Sequence, residues 1–360
     1  MNVGILTFHN AYNYGAVLQA YATQVLVESL GHKAEVIDYH NTAIDNDYNM
    51  LKFHYRSFIG SKYKFPLYLL DRYFFWKRRK SFRKFQDKYI KLSSKTYFQC
   101  EDVSFYGYDI VLIGSDQLWN KSLTGGLDKI YWGQFDTIYK TRKVAWSVCM
   151  NNTNLSDHET SLIMEYLKDF YAISVREETL QAFISKLTNN RVWHTLDPTL
   201  LLSSEKWEEV CHPVKESNYI AVYAVKNEKE TIRFARKLAS SLNKKIIILR
   251  SYSKWYFSSD NKEYCGPDEF LSYIRNADYV VTSSFHGTVF SLIFRRQFIC
   301  PRFDGNIRVE DLLHTVGLSS RFVRDWKEVL SLLPINYNNL SDLLEIKRKE
   351  TINFLSKILN

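Results

Sequence analysis

Val280-Val281-Thr282-Ser283-Ser284-Phe285-His286-Gly287-Thr288-Val289-Phe290-Ser291 reads as strand, tight turn and helix, with His286 at the turn. The β-branched apolar run suits a buried strand and stops at two serines; an amphipathic run begins after the glycine. N–H groups at a helix N-terminus lack intrahelical acceptors and carry partial positive charge, so such a junction favours anions. An imidazole beside it titrates near neutral pH and can pass protons. On this reading the Ser283 and Ser284 hydroxyls and the Gly287 and Thr288 N–H groups hold a phosphate beside His286. The alternative is that the serines only cap the helix and His286 only fills the turn.

Outward from this stretch the same strand–turn–helix unit recurs. Strand Asn2–Thr7, polar turn His9–Gly15, helix Ala16–Leu30 and strand Ala34–Tyr39 form a βαβ opening, with Gly31 ending the helix. Strands follow at 109–114, 143–148 and 172–176, with a helix at 156–170. A second series runs through strands 219–225, 245–250, 279–282 and 297–301, with helices at 228–242, 268–276 and 289–294. The expected fold is α/β: two doubly wound Rossmann-like domains facing a cleft, with ligands beyond the carboxyl ends of the strands. The first domain is expected over 1–200, with a basic aromatic helical insertion at about 50–95. The second spans 201–335, and a C-terminal helix 336–360.

Composition bounds the function. The chain has 360 residues, 46% hydrophobic and 16% aromatic, enough for two domains with substantial cores. Five scattered cysteines form no CxxC or Cys/His cluster, so neither a disulfide framework nor a metal ligand set is expected. The absence of a signal-like start and of a long apolar run predicts a cytoplasmic protein. The net charge of +9 is concentrated: Lys52–Lys91 carries thirteen Lys and Arg against Asp71 and Asp87, interleaved with thirteen aromatics. That segment reads as a helical pair with a solvated basic face, or as a dock on an anionic membrane surface. No nucleic-acid motif accompanies the charge, and no nucleic-acid partner is expected.

Several separated blocks, in this order, resemble the polysaccharide pyruvyl transferase family. They are His9-Asn10-Ala11-Tyr12-Asn13-Tyr14-Gly15-Ala16-Val17-Leu18-Gln19-Ala20-Tyr21, Gly114-Ser115-Asp116-Gln117-Leu118-Trp119-Asn120, Ser174-Val175-Arg176-Glu177 with Asp197-Pro198-Thr199-Leu200-Leu201, and Gly266-Pro267-Asp268-Glu269-Phe270 with Ser283–Gly287. The resemblance implies a GT-B-like fold. It implies transfer of a pyruvyl group from phosphoenolpyruvate, the co-substrate, to a sugar of a surface-polysaccharide precursor, forming a ketal without a further cofactor. A lipid-linked acceptor would bring the enzyme to the inner face of the membrane as a peripheral protein.

The matched positions suggest roles. His286 is the acid/base. Arg176 matches a donor-contacting arginine of the family; its alternative is a salt bridge to Glu177. Where many members carry another arginine, this chain has Ser284, and Arg308 is the candidate replacement, against a helix-surface ion pair. On the acceptor side are Asn13, Tyr14, Gly15, Ser115 and Gln117. Asp116 would accept a hydroxyl proton, or cap a helix, and Trp119 would stack on a sugar, or pack in the core. Because fold does not fix function, a nucleotide-sugar glycosyltransferase and a non-catalytic membrane-surface adaptor stand as the other readings.

Overall fold

The computed structural model describes residues 1–48, 65–99, 103–137, 141–151, 153–225, 227–249, 261–303 and 305–360. The part of the basic segment before 65, and Cys100, lie outside them. The chain divides into two compact units, one of Met1–Phe53, Gln86–Leu202 and Ile346–Asn360, the other of His54–Phe85 and Ser203–Glu345. The basic segment expected wholly within the first domain is thereby split, and the C-terminal helix is shared between the units.

The first unit is a seven-stranded, wholly parallel sheet in the order β3-β2-β1-β4-β5-β6-β7. Its strands are β1 (Asn2–Leu6), β2 (Lys33–His40), β3 (Leu92–Phe98), β4 (Ile110–Asp116), β5 (Arg142–Val148), β6 (Ala172–Val175) and β7 (Val192–His194). β4 is buried along its whole length, as parallel strands covered on both faces require. Helix α1 (Tyr14–Ser29) starts two residues earlier than expected, because Asn13 caps it: its Oδ1 accepts from the Gly15 and Ala16 N–H groups at 2.9 and 3.4 Å.

The second unit repeats the winding. Strands β8 (Tyr219–Tyr223), β9 (Lys245–Leu249), β10 (Asn261–Glu263), β11 (Tyr279–Thr282) and β12 (Gln297–Pro301) run parallel in the order β10-β9-β8-β11-β12, and two-residue β13 (Phe322–Val323) extends that edge. Its core gathers Ile220, Val222, Ile248, Val281 and Ile299 from the strands with Ile232, Ala235 and Leu238 from a helix at Glu228–Ser241. Helix α2 (Phe65–Tyr89) carries the described part of the basic segment. No helix of the described residues is long and apolar enough to cross a membrane.

In both units the strand order reverses once, between β1 and β4 in the first and between β8 and β11 in the second. In doubly wound sheets that reversal opens a crevice beyond the carboxyl ends of the two strands, where ligands sit.

Candidate active site

The carboxyl end of β11 leads straight into helix α3 (Phe285–Ile293). The helix begins four residues earlier than the sequence pattern predicts, so His286 lies in its first turn and not in a loop. Gly287 explains the difference. A Cβ there would sit 2.1 Å from Thr282 Oγ1 and 2.9 Å from Thr282 Cβ. The glycine serves close approach of the helix to the strand end, and a helix interior tolerates it at modest cost.

Thr282 holds the junction. Its hydroxyl donates to the Tyr223 carbonyl at 2.6 Å and accepts from the Ser284 N–H at 3.1 Å. The Ser283 N–H donates to the same Tyr223 carbonyl, tying the ends of β8 and β11 together across the switch point. Ser284 is the N-cap residue, yet its side chain makes no capping bond. The expectation that the serines cap the helix is therefore corrected for Ser284. Thr288 is also corrected as an anion ligand: its N–H and its hydroxyl both donate to the Ser284 carbonyl at 3.0 Å. The first-turn N–H groups of Phe285, His286 and Gly287 precede the helix's own acceptors. Ser283, Ser284, His286 and Gly287 are all buried at this junction.

A second helix, α4 (Ile307–Thr315), starts at the same place. The side chain of its N-cap residue Asn306 donates to the Ser283 carbonyl at 3.2 Å. Half-buried Arg308 follows two residues later, so the fold brings its segment to the turn.

Arg176 belongs to the first unit. It follows β6, is 5% exposed, and pairs with Asp197 and, at 3.8 Å, with Glu177. Burial would lower its pKa, but Cys149, Asp197, Glu177 and Asp116 outweigh that and hold the guanidinium charged. The Cys149 thiol donates to Glu177 Oε1 at 2.6 Å. The salt bridge to Glu177 expected as the alternative for Arg176 is present, with Asp197 as the closer partner.

The proposed acceptor residues are largely structural. Tyr14 is fully buried in α1, and Gly15 lies inside that helix. Trp119 is fully buried, stacked on Trp132 at 4.2 Å and 6°, with its Nε1–H donating to the Tyr131 carbonyl at 3.0 Å. Core packing, and not a sugar platform, accounts for it. Ser115 is fully buried beside Gln19 and Thr7. Gln117 Oε1 accepts from Asn120 Nδ2 at 2.8 Å. Asp116 is no helix cap, since Asn120 caps the helix Lys121–Thr124. It sits at the switch point with φ 73°, its Oδ1 accepting from the Gln117 N–H at 2.9 Å.

Composition and spacing missed a cluster near the ends of β1 and β2, formed by His9, Asp38, His40 and Asp45. Burial would raise the Asp38 pKa, but hydrogen bonds from His40, His9 and Thr96 outweigh it and hold the carboxyl well below its usual range. Hydrogen bonds to Asp38 and Asp45 push His40 up to about 9. The one signal available was the alternation of β2, which puts residues 38 and 40 on one face.

The sequence model of polysaccharide pyruvyl transferase matches residues 13–300, most of the chain. The chain belongs to the polysaccharide pyruvyl transferase family. No curated protein matches it in sequence. Among solved structures, the UDP-GlcNAc 2-epimerase of Methanocaldococcus jannaschii, in complex with UDP-GlcNAc and UDP, is similar at 11% identity and a TM-score of 0.52, covering 100% of this chain and 99% of that one. UGT89C1 of Arabidopsis thaliana, complexed with quercetin, aligns at 10% identity, covering 99% and 98% of the two chains with a TM-score of 0.49. The likeness to the epimerase is one of fold: this pyruvyl transferase family member has a GT-B-like architecture.

Proposed function

We propose that the protein transfers a pyruvyl group from phosphoenolpyruvate to two hydroxyls of a saccharide in a surface-polysaccharide precursor. The observation that carries this reading is the β11–α3 junction, where His286, two serines and a helix N-terminus meet at the switch point of the second unit. The donor phosphate lies at the first-turn N–H groups of α3 with the Ser283 and Ser284 hydroxyls, and Arg308 supplies the charge that Ser284 lacks. His286 donates a proton to the enol CH2 carbon, which makes C2 electrophilic. Two saccharide oxygens bond to C2 and the C2–O bond to phosphate breaks. Of the two hydroxyl protons lost, one replaces that given to the methyl carbon and the other leaves with the phosphate. Asp116 is the acceptor-side base.

Thermal-shift titration tests it, with phosphoenolpyruvate and UDP-GlcNAc in parallel. A ligand that binds only the native state raises its melting temperature by mass action. Stabilisation by phosphoenolpyruvate, lost in Arg308→Ala, is expected. Stabilisation by UDP-GlcNAc alone selects nucleotide-sugar transfer, which the serine at 284 would then explain.

The acceptor is lipid-linked and the enzyme meets it at an anionic membrane surface. Tyr73, Trp76, Lys77, Lys80, Arg83 and Lys84 are exposed along one stripe of α2 at helical spacing. Tyr73 and Trp76 stack at 6.4 Å, and Lys80 Nζ lies 5.3 Å from the Trp76 ring. Aromatics beside cations suit the lipid interface. Arg78 is 1% exposed and packs 4.7 Å from the Phe82 ring, so it is not part of this stripe. Sedimentation with phosphatidylserine vesicles should fall when Lys77, Lys80, Arg83 and Lys84 become glutamine; unchanged sedimentation overturns the docking.

A further inference from the structure

Two histidine rings in the first unit converge on one carboxylate oxygen. His9 Nε2 is 2.8 Å and His40 Nε2 is 3.2 Å from Asp38 Oδ1. The three ligand atoms all lie within 4.8 Å of one another. His9 comes from the turn after β1, while Asp38 and His40 are alternate residues of β2 and share a face. The group stands at the carboxyl edge of the sheet.

The far nitrogens of both rings also face acceptors. His9 Nδ1 is 3.3 Å from the Thr7 carbonyl, and His40 Nδ1 is 2.8 Å from Asp45 Oδ2. Asn10 Nδ2 lies 3.1 Å from His40 Nδ1 but closer, at 2.6 Å, to Asp45 Oδ1, which it bonds. In one tautomer each ring carries its hydrogen on Nδ1 and donates to these oxygens. In a neutral ring each Nε2 then turns a lone pair toward Asp38 Oδ1. A hydrogen on each Nε2, or one divalent cation between the three atoms, suits that arrangement.

We propose that His9, Asp38 and His40 form a three-ligand site for a divalent transition-metal cation of the Zn²⁺ class. With metal–ligand bonds of about 2.0–2.1 Å, tetrahedral ligand atoms stand roughly 3.3 Å apart. The separations of 2.8 and 3.2 Å reach that with a small expansion. Two imidazole nitrogens and a carboxylate suit such an ion, and three protein ligands leave a coordination position open. The surrounding bonds are those that metal sites use to orient ligands. Thr7 and Asp45 fix both histidines with Nε2 inward, and the Thr96 hydroxyl donates to the other Asp38 oxygen at 2.6 Å. His9 is fully enclosed, while Asp38 and His40 are 17% and 26% exposed at the side chain, which gives an ion a way in.

The test is calorimetric titration of chelator-treated full-length protein with Zn²⁺, with Co²⁺ as the spectroscopic probe. One equivalent should bind, and Co²⁺ should give the visible absorption of a nitrogen-and-oxygen-ligated, non-octahedral ion. Binding should vanish in His40→Ala. It should weaken about 10- to 100-fold in Asp45→Asn, which keeps all three ligands and loses only the carboxylate that orients His40. Wild-type protein that takes up no Zn²⁺ overturns the site and leaves the two rings joined to Asp38 by hydrogen bonds alone. So does His40→Ala protein, folded by circular dichroism, that binds as wild type does. The outcome is independent of what binds at α3.

Discussion

The two units wind their strands in the same order and finish their switch points differently. In the second, β11 passes directly into α3, and the junction is made of hydroxyls, an imidazole and a glycine held against Thr282. In the first, β4 runs into Asp116 and then into a fully buried Trp119–Trp132 stack, while a charged Arg176–Asp197–Glu177 group lies beyond the ends of β6 and β7. One junction has the groups an anion needs; the other is mostly occupied by its own core. The same architecture thus offers a junction suited to an anion in one copy and, in the other, a small set of polar groups around Asp116 and the His9–Asp38–His40 cluster. Function resides in how the loops are finished, not in the winding.

The largest expected effect is on the first unit's stack. Trp119→Ala should cost about 3–5 kcal/mol of stability in denaturant unfolding, as emptied aromatic sites do. Phosphoenolpyruvate binding by the protein that remains folded should be unchanged. A variant of near wild-type stability with impaired saccharide binding would return Trp119 to the acceptor site and blur the contrast. Next comes Gly287→Ala. Its Cβ must displace Thr282, at a cost of about 1–3 kcal/mol from overpacking. Because the displaced group anchors the first turn of α3, the phosphoenolpyruvate thermal shift should disappear with it. A variant that keeps the shift would show that the glycine matters to packing alone.

The smallest effect is a pH dependence confined to the first unit. Glu159 is held down to about 2, first by the Lys121 ammonium that bonds both its oxygens at 2.8 Å and then by the Ser156 N–H. A depressed carboxyl adds stability above its unfolded pKa and loses it as pH falls through the folded one. Wild type should therefore melt slightly above Glu159→Gln near neutral pH, and the gap should close between about pH 5 and pH 2. A gap that persists at pH 2 would mean the residue stabilises through its capping geometry and not through its charge.

Much of the fold was legible because parallel strands buried on both faces are near-continuous apolar runs. Residues 279–282 and 297–301 were read with their observed bounds. β3, Leu-Ser-Ser-Lys-Thr-Tyr-Phe, was not, since it is an edge strand exposed at most positions and carries no such run. The start of α3 is hidden because a glycine after a histidine resembles a turn, and only the contact with Thr282 reveals why a helix needs it there. The stacking of Trp119 on Trp132 and the pairing of Arg176 with Asp197 are hidden in the sequence because these partners are distant along the chain. His9 and Asp38 are 29 residues apart, and no spacing rule joins a loop after one strand to the face of the next.

Hydrogen–deuterium exchange of the full-length protein with and without phosphoenolpyruvate tests the central claim most directly. The account predicts slowed exchange at the Phe285, His286 and Gly287 amides and none at Ser115–Trp119. Protection at Ser115–Trp119 with none at residues 285–287 would contradict it and move the donor to the first unit.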